Sequence, residues 1–325
     1  MSDLLEHLKQ VYVARTPQMR DIGLEITAVE PARGTMRLPA RKDWLGDPER
    51  GLMHVGPLIV LADSACGIAV GAAVQARDVT YATLDLRLDW LRPALPGKDV
   101  YSEAHCYRLS RSVAFIRAEV WQDDRAQPVA TAQSAFMLGT PSTARPAAQA
   151  SAQTGQSAAI ATTMAAAPVE ASHASGTHTS DAVATPWIAP QASESPLPGQ
   201  HIPYVEYLGI RVAPDPHQPT FRLPFQQKLI GNPHLPALHG GVVAGFAETS
   251  AILHLMQSLQ GVKQPKGIDF SIDYLRSGRP EECFARCEVV RLGGRVALVT
   301  VRVWQRSPDV PIAVARGHFL LAAKD

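Results

Sequence analysis

Two stretches of this chain are copies of one another, and nothing else in the sequence limits the possible folds as strongly. Arg37-Leu-Pro39 recurs as Arg222-Leu-Pro224, Gly46-Asp-Pro48 as Gly231-Asn-Pro233, and His54-Val-Gly56 as His239-Gly-Gly241, each at an offset of 185. The series continues with Asp85-x3-Asp-Trp-Leu-Arg92 against Asp269-x3-Asp-Tyr-Leu-Arg276 at 184, and Val120-Trp-Gln122 against Val303-Trp-Gln305 at 183. Ordered matches whose offset drifts by single residues mark a tandem duplication. A fold that suits one copy must suit the other, so the 325 residues divide into two like units.

The copies are separated by a change of composition after Leu138. From Pro141 to Pro198 the chain is mostly Ala, Ser, Thr, Pro and Gln, with only Arg145, Glu170, Asp181 and Glu194 charged. Such a segment has no sustained apolar period with which to repay its ordering entropy, and it reads as a disordered linker. A coil of that length spans about 40 Å, enough to join two units lying side by side. The expected organisation is residues 1–140, a linker over 141–198, and residues 199–325.

Within each copy a short N-terminal helix and an irregular strand region precede an apolar helix that starts near Gly56 or Gly241, and strands of period two follow it. Leu84, Leu86, Leu88 and Trp90 alternate with Asp85, Arg87 and Asp89, and Ile268, Phe270, Ile272 and Tyr274 repeat the pattern. A later strand places Ala114, Ile116, Ala118 and Val120 on one face, matched by Ala297, Val299, Val301 and Val303. One apolar helix and three or so antiparallel strands that must bury it make an α+β unit, a sheet curled around a helix.

Composition removes several function classes. Net charge is +1, which leaves no basic field for nucleic acid. Cys66, Cys106, Cys283 and Cys287 are too scattered for a disulfide framework, so a reduced, cytoplasmic protein is expected. The first residues carry Asp3 and Glu6 and lack the apolar run of a signal peptide. Gly56 to Ala76 is nearly all apolar and long enough to span a bilayer, but Asp63 would cost about 2.5–3.5 kcal/mol at its centre. A buried helix, with no membrane partner, accounts for it better. No metal-ligand cluster, phosphate loop or Gly-x-Ser-x-Gly elbow is present.

Chemistry concentrates at the two helix starts. His239-Gly240-Gly241 offers backbone N–H groups at a helix N-terminus with no side chain in the way, a place for an anion or a developing oxyanion. Nine residues after each histidine stands an acid, Asp63 in copy one and Glu248 in copy two, costly within an apolar helix unless partnered or functional. Asp47 and Asn232 hold equivalent loop positions seven residues before the histidines. From Gly240 to Glu248 along one helix is about 12 Å, too far for one carbonyl to meet both. Two such helices packed antiparallel would set each N-terminus against the other's middle, giving composite sites.

These motifs, with a strand of the type Thr-Leu-Asp-Leu-x-x-x-Trp-Leu-Arg-Pro, resemble the hotdog-fold thioesterases of the phenylacetate-degradation and 4-hydroxybenzoyl-CoA type. The resemblance covers roughly residues 20–138 and 203–323. It implies two tandem hotdog domains packed as a pseudo-dimer that hydrolyses an acyl-CoA thioester, with CoA part of the substrate and no separate cofactor. In that family a helix acid attacks or activates water. A glycine N–H and a loop Asn of the opposing unit polarise the carbonyl, and a strand Ser or Thr assists the acid. Carried over, the catalytic set is Asp63 and Thr83 with Asn232, His239 and Gly240, while Gly241, His54 and Gly56 contact substrate. His239 itself is read as shaping the turn. The other pairing joins Asp47, His54 and Val55 to Glu248 and Gly267. It lacks the glycine and the hydroxyl, so it is expected to be weak or structural, although Glu248 becomes the working acid if the helices do not pair antiparallel. Asn232 stands one residue farther from its histidine than the family's usual Asn. Two rivals remain: a hydratase or dehydratase of enoyl or hydroxyacyl thioesters, which would release no free thiol, and a non-catalytic acyl-CoA sensor. Pairing of two pseudo-dimers into a homodimer is a further expectation.

Overall fold

The computed structural model describes residues 2–75, 79–139, 201–213, 218–232, 236–260 and 263–323. The linker expected over 141–198 lies outside them. Copy one runs α1 (Ser2–Leu8), α2 (Pro17–Ile22), β1 (Glu25–Glu30), β2 (Arg33–Leu38), β3 (Leu45–Asp47), β4 (Leu52–Met53), α3 (Val55–Ala73), β5 (Tyr81–Trp90), β6 (Val100–Leu109), β7 (Val113–Trp121) and β8 (Ala130–Leu138). Copy two runs α4 (Pro203–Leu208), β9 (Arg211–Ala213), β10 (Thr220–Leu223), β11 (Ile230–Asn232), β12 (Ala237–Leu238), α5 (Gly240–Ser258), β13 (Lys263–Tyr274), β14 (Cys283–Leu292), β15 (Val296–Trp304) and β16 (Ala313–Ala323).

Each copy contributes six strands to one sheet, more than the three or so that alternation alone predicts. The extra ones are the short β1 and β2, and β9 and β10, which precede the helix and close the sheet's two ends. Their apolar pattern is too brief to read as a period. The order is β1-β2-β6-β7-β8-β5-β13-β16-β15-β14-β10-β9, so β5 and β13 form the seam between copies. There Asp85 faces Asp273 and Asp89 faces Asp269, a like-charge pairing that is unfavourable by itself. Arg87 relieves it, donating to Asp89 Oδ1 at 2.6 Å and lying 3.5 Å from Asp269 Oδ2. The backbone N–H of Ala135 donates to Asp85 Oδ1 at 2.8 Å.

α3 is apolar on every face because it is wrapped on every face. It packs against β2, β6 and β7 of its own copy and against α5 of the other. It is the described helix long and apolar enough to cross a membrane, yet 89% of its most apolar window is buried within the protein. The two core helices run antiparallel. A Cβ on Gly241 would lie 2.7 Å from the Val60 Cα, and one on Gly245 would lie 3.4 Å from the Gly56 Cα. Small residues at this crossing bring the two helix backbones together, which places each N-terminus beside the middle of its partner. All four cysteines are free and buried.

A β-bulge corrects the strand reading. The β5–β8 register slips between Thr83 and Asp85, and the β13–β16 register between Gly267 and Asp269. An extra residue reverses the side-chain phase. Leu86 and Leu88 face the core as the alternation predicts, but Ile268 is 39% exposed. Thr83 turns instead toward α3.

Candidate active site

Asp63 sits in the middle of α3, 5% exposed, with both oxygens engaged. Thr83 Oγ1 donates to Oδ1 at 3.1 Å, the bulge having aimed it there. The N–H of Gly241 donates to Oδ2 at 2.7 Å across the interface between copies. A carboxylate at a helix N-terminus is stabilised by the unpaired amides and the helix dipole. His239 caps that helix: its Nδ1 accepts from the same Gly241 N–H at 3.1 Å and lies 3.4 Å from Asp63 Oδ2. Burial lowers the His239 pKa against the opposing pull of Asp63, favouring the neutral ring.

The Gly241 amide, expected from the sequence to contact substrate, is here bonded to Asp63 and His239. A Cβ on Gly241 would meet backbone, so this glycine permits the helix crossing. Gly240 is different. It is half-buried, its N–H is one of the helix-start amides with no intrahelical acceptor, and a Cβ there would lie 3.0 Å from Asp63 Oδ2. Asn232 ends β11, paired with Ala237; residues 233–235 lie outside the described ones.

Two contributors escape the sequence reading. Ser64 Oγ lies 3.1 Å from His239 Nε2, both groups buried. Tyr274 OH donates to the Gly240 carbonyl at 2.8 Å. The signals were present: Ser64 aligns with Thr249, another hydroxyl beside an acid, and Tyr274 aligns with Trp90 in the repeated strand motif.

The second pairing is built differently. His54 also caps its helix, accepting from Gly56 N–H at 3.0 Å, and burial pushes its pKa down to about 3. Its ring stacks on Tyr204 with centroids 4.5 Å apart. The Tyr204 ring fills the space over Gly56, since a Cβ there would fall 2.1 Å from Tyr204 Cε1. At His54 and Gly56, expected from the sequence to contact substrate, an aromatic side chain from α4 lies over the glycine and against the ring. Glu248 is fully buried. Its Oε1 accepts from Trp90 Nε1 at 2.9 Å, while Oε2 is buried without a hydrogen-bond partner. Burial pushes its pKa up to about 8, with the Trp90 bond opposing. Gly267 makes room for Trp90, whose Cδ1 would lie 2.6 Å from a Cβ. Val55 opens α3 where Gly240 opens α5, and the Arg50 N–H donates to Asp47 Oδ1 at 3.1 Å.

Among the described residues no group of three His, Cys, Asp or Glu side chains could hold a metal ion. The arrangement at Asp63 instead suits acyl chemistry: a fixed carboxylate beside a helix-start amide.

Comparison with known proteins agrees. The sequence profile of the thioesterase superfamily matches residues 50–129 and 235–312, one segment in each copy. Each copy of the chain thus carries the thioesterase superfamily's sequence pattern. This thioesterase is 24% identical over 147 residues to the medium/long-chain acyl-CoA thioesterase YigI of Salmonella typhimurium, an alignment covering 42% of this chain and 94% of that one. Its fold is similar to that of a candidate thioesterase from Novosphingobium aromaticivorans (TM-score 0.60, 14% identity, 92% of this chain and 98% of the other). It is also similar to a hotdog-fold protein from Alicyclobacillus acidocaldarius (TM-score 0.55, 13% identity, 93% and 96%). Both neighbours span the two copies, so the fold is a double hotdog; the thioesterase profile present in each copy makes the chain a thioester hydrolase.

Proposed function

We propose that this thioesterase hydrolyses acyl-CoA at one composite site, with Asp63 and Thr83 from copy one and the helix start His239-Gly240 from copy two. The observation that carries the reading is the 2.7 Å bond from Gly241 N–H to Asp63 Oδ2. It fixes the acid of one copy at the N-terminus of the other copy's helix, one residue from the amide left to polarise a carbonyl. The thioester oxygen accepts from Gly240 N–H as negative charge develops on it. Asp63 either adds to the carbonyl carbon or takes a proton from the water that adds. In both routes the C–S bond breaks, the thiolate leaves and takes up a proton, and water supplies the hydroxyl of the product acid. Thr83 holds Oδ1 so that the carboxylate keeps its aim. Asn232 is assigned to the same carbonyl by the family resemblance. CoA enters as part of the substrate, and no further cofactor is required by these steps.

The pseudo-equivalent site is assigned a structural role, because Tyr204 covers its glycine and Trp90 occupies its acid. The test is release of free thiol from a panel of acyl-CoA esters by wild type, D63N and E248Q. The expected result is loss of turnover by about a thousandfold or more in D63N and its retention in E248Q. Full activity in D63N with loss in E248Q would reverse the assignment. Binding without thiol release in the wild type would favour a sensor.

A further inference from the structure

We infer that Ser64 is a positioning residue of this site, holding His239 in the one tautomer that lets the α5 start present its amides to Asp63 and to the substrate carbonyl. The inference rests on the site assignment above and adds a residue that the family resemblance did not supply.

The geometry leaves the imidazole little choice. Its Nδ1 accepts from Gly241 N–H at 3.1 Å, so that nitrogen carries a lone pair. A neutral ring then bears its proton on Nε2, and Ser64 Oγ stands 3.1 Å away to accept it. Both side chains are buried, His239 6% and Ser64 2% exposed, where an unmet N–H is costly. The opposite tautomer would set an Nδ1–H against the Gly241 N–H, donor facing donor. It would also turn that hydrogen toward Asp63 Oδ2, 3.4 Å away, in competition with the amide. Ser64 therefore acts through His239 on the direction of the helix-start amides, and touches no reacting atom.

Copy two supplies the contrast. Thr249 aligns with Ser64, but its hydroxyl donates to the Gly245 carbonyl one turn back in its own helix. The ring of His54 is held instead by stacking on Tyr204. The serine-to-histidine bond across the copies thus accompanies the site assigned to chemistry.

The experiment combines turnover with a reading of the ring itself. Full-length wild type, S64A, S64T and D63N are labelled with 15N-histidine, and long-range 1H–15N correlations assign the His239 tautomer. Thiol release from one acyl-CoA substrate gives kcat and KM. For S64A the expected result is a fall in kcat of about tenfold, the kinetic equivalent of one buried hydrogen bond. KM should stay within about twofold and the Nε2–H pattern should be lost. S64T, which keeps the hydroxyl, should restore both the tautomer and the rate. An unchanged tautomer in S64A, or an altered tautomer with wild-type kcat, would overturn the role of Ser64 while D63N remains inactive. Full turnover in D63N would instead overturn the site assignment on which the inference rests.

Discussion

Replacing Glu248 by Gln tests the unequal division of labour most directly, because the structure fixes both sign and size. The carboxyl is fully buried, accepts one bond from Trp90 and has no partner at Oε2. It therefore keeps its proton up to about pH 8, whereas in the unfolded chain it releases it near 4.5. Between those values the folded state binds more protons than the unfolded state, so the stability due to this group is complete below about pH 4.5 and is lost as pH rises toward 8. At about 1.4 kcal/mol per pH unit the full loss is about 5 kcal/mol, and about 3 kcal/mol has gone by pH 7. Glutamine copies the protonated shape, keeps the acceptor for Trp90 and cannot ionise. The variant should match wild type near pH 5 and become steadily more stable than it above pH 6. At about 2 °C per kcal/mol for a chain of this size, the gap in thermal midpoint should approach 10 °C at pH 8.5. Thermal unfolding of both proteins from pH 5 to 9, followed by circular dichroism, measures this. Parallel curves would refute the buried, protonated state, and abolished thiol release would refute its exclusion from chemistry.

Other changes are read more simply. T83V removes the donor to Asp63 Oδ1 without changing side-chain volume, and kcat should fall about tenfold with little change in KM. G241A forces a Cβ to within 2.7 Å of the Val60 backbone, so the helices must part. Stability should drop by about 1–3 kcal/mol in denaturant titration, with turnover lost as the amide leaves Asp63.

The repeat, the apolar helix and the alternating strands were legible because each is a local pattern carried by consecutive residues. The two flanking strands of each copy were legible only as an irregular strand region before the helix, because strands of three to six residues beside turns carry too short a period. Alternation also misplaced Ile268, since a bulge reverses the phase of a strand and leaves no mark in composition. At the site, the helix start and the acid could be paired in advance from length alone, as one helix cannot bring its own two ends together. The sequence did not show that Gly241 would give its amide to Asp63 while Gly240 kept its own free of the helix ladder. Nor did it show that the Tyr204 ring would lie on Gly56, because α4 and that glycine are separated by nearly 150 residues.

By itself, then, the sequence determined a duplicated α+β unit, its two helix starts and the two acids that follow them. Tertiary structure decided which acid accepts from a helix-start amide of the other copy and which is sealed beside Trp90. The reason is physical: identical motifs acquire different chemistry from burial and hydrogen-bond partners, and those come from residues distant in the chain.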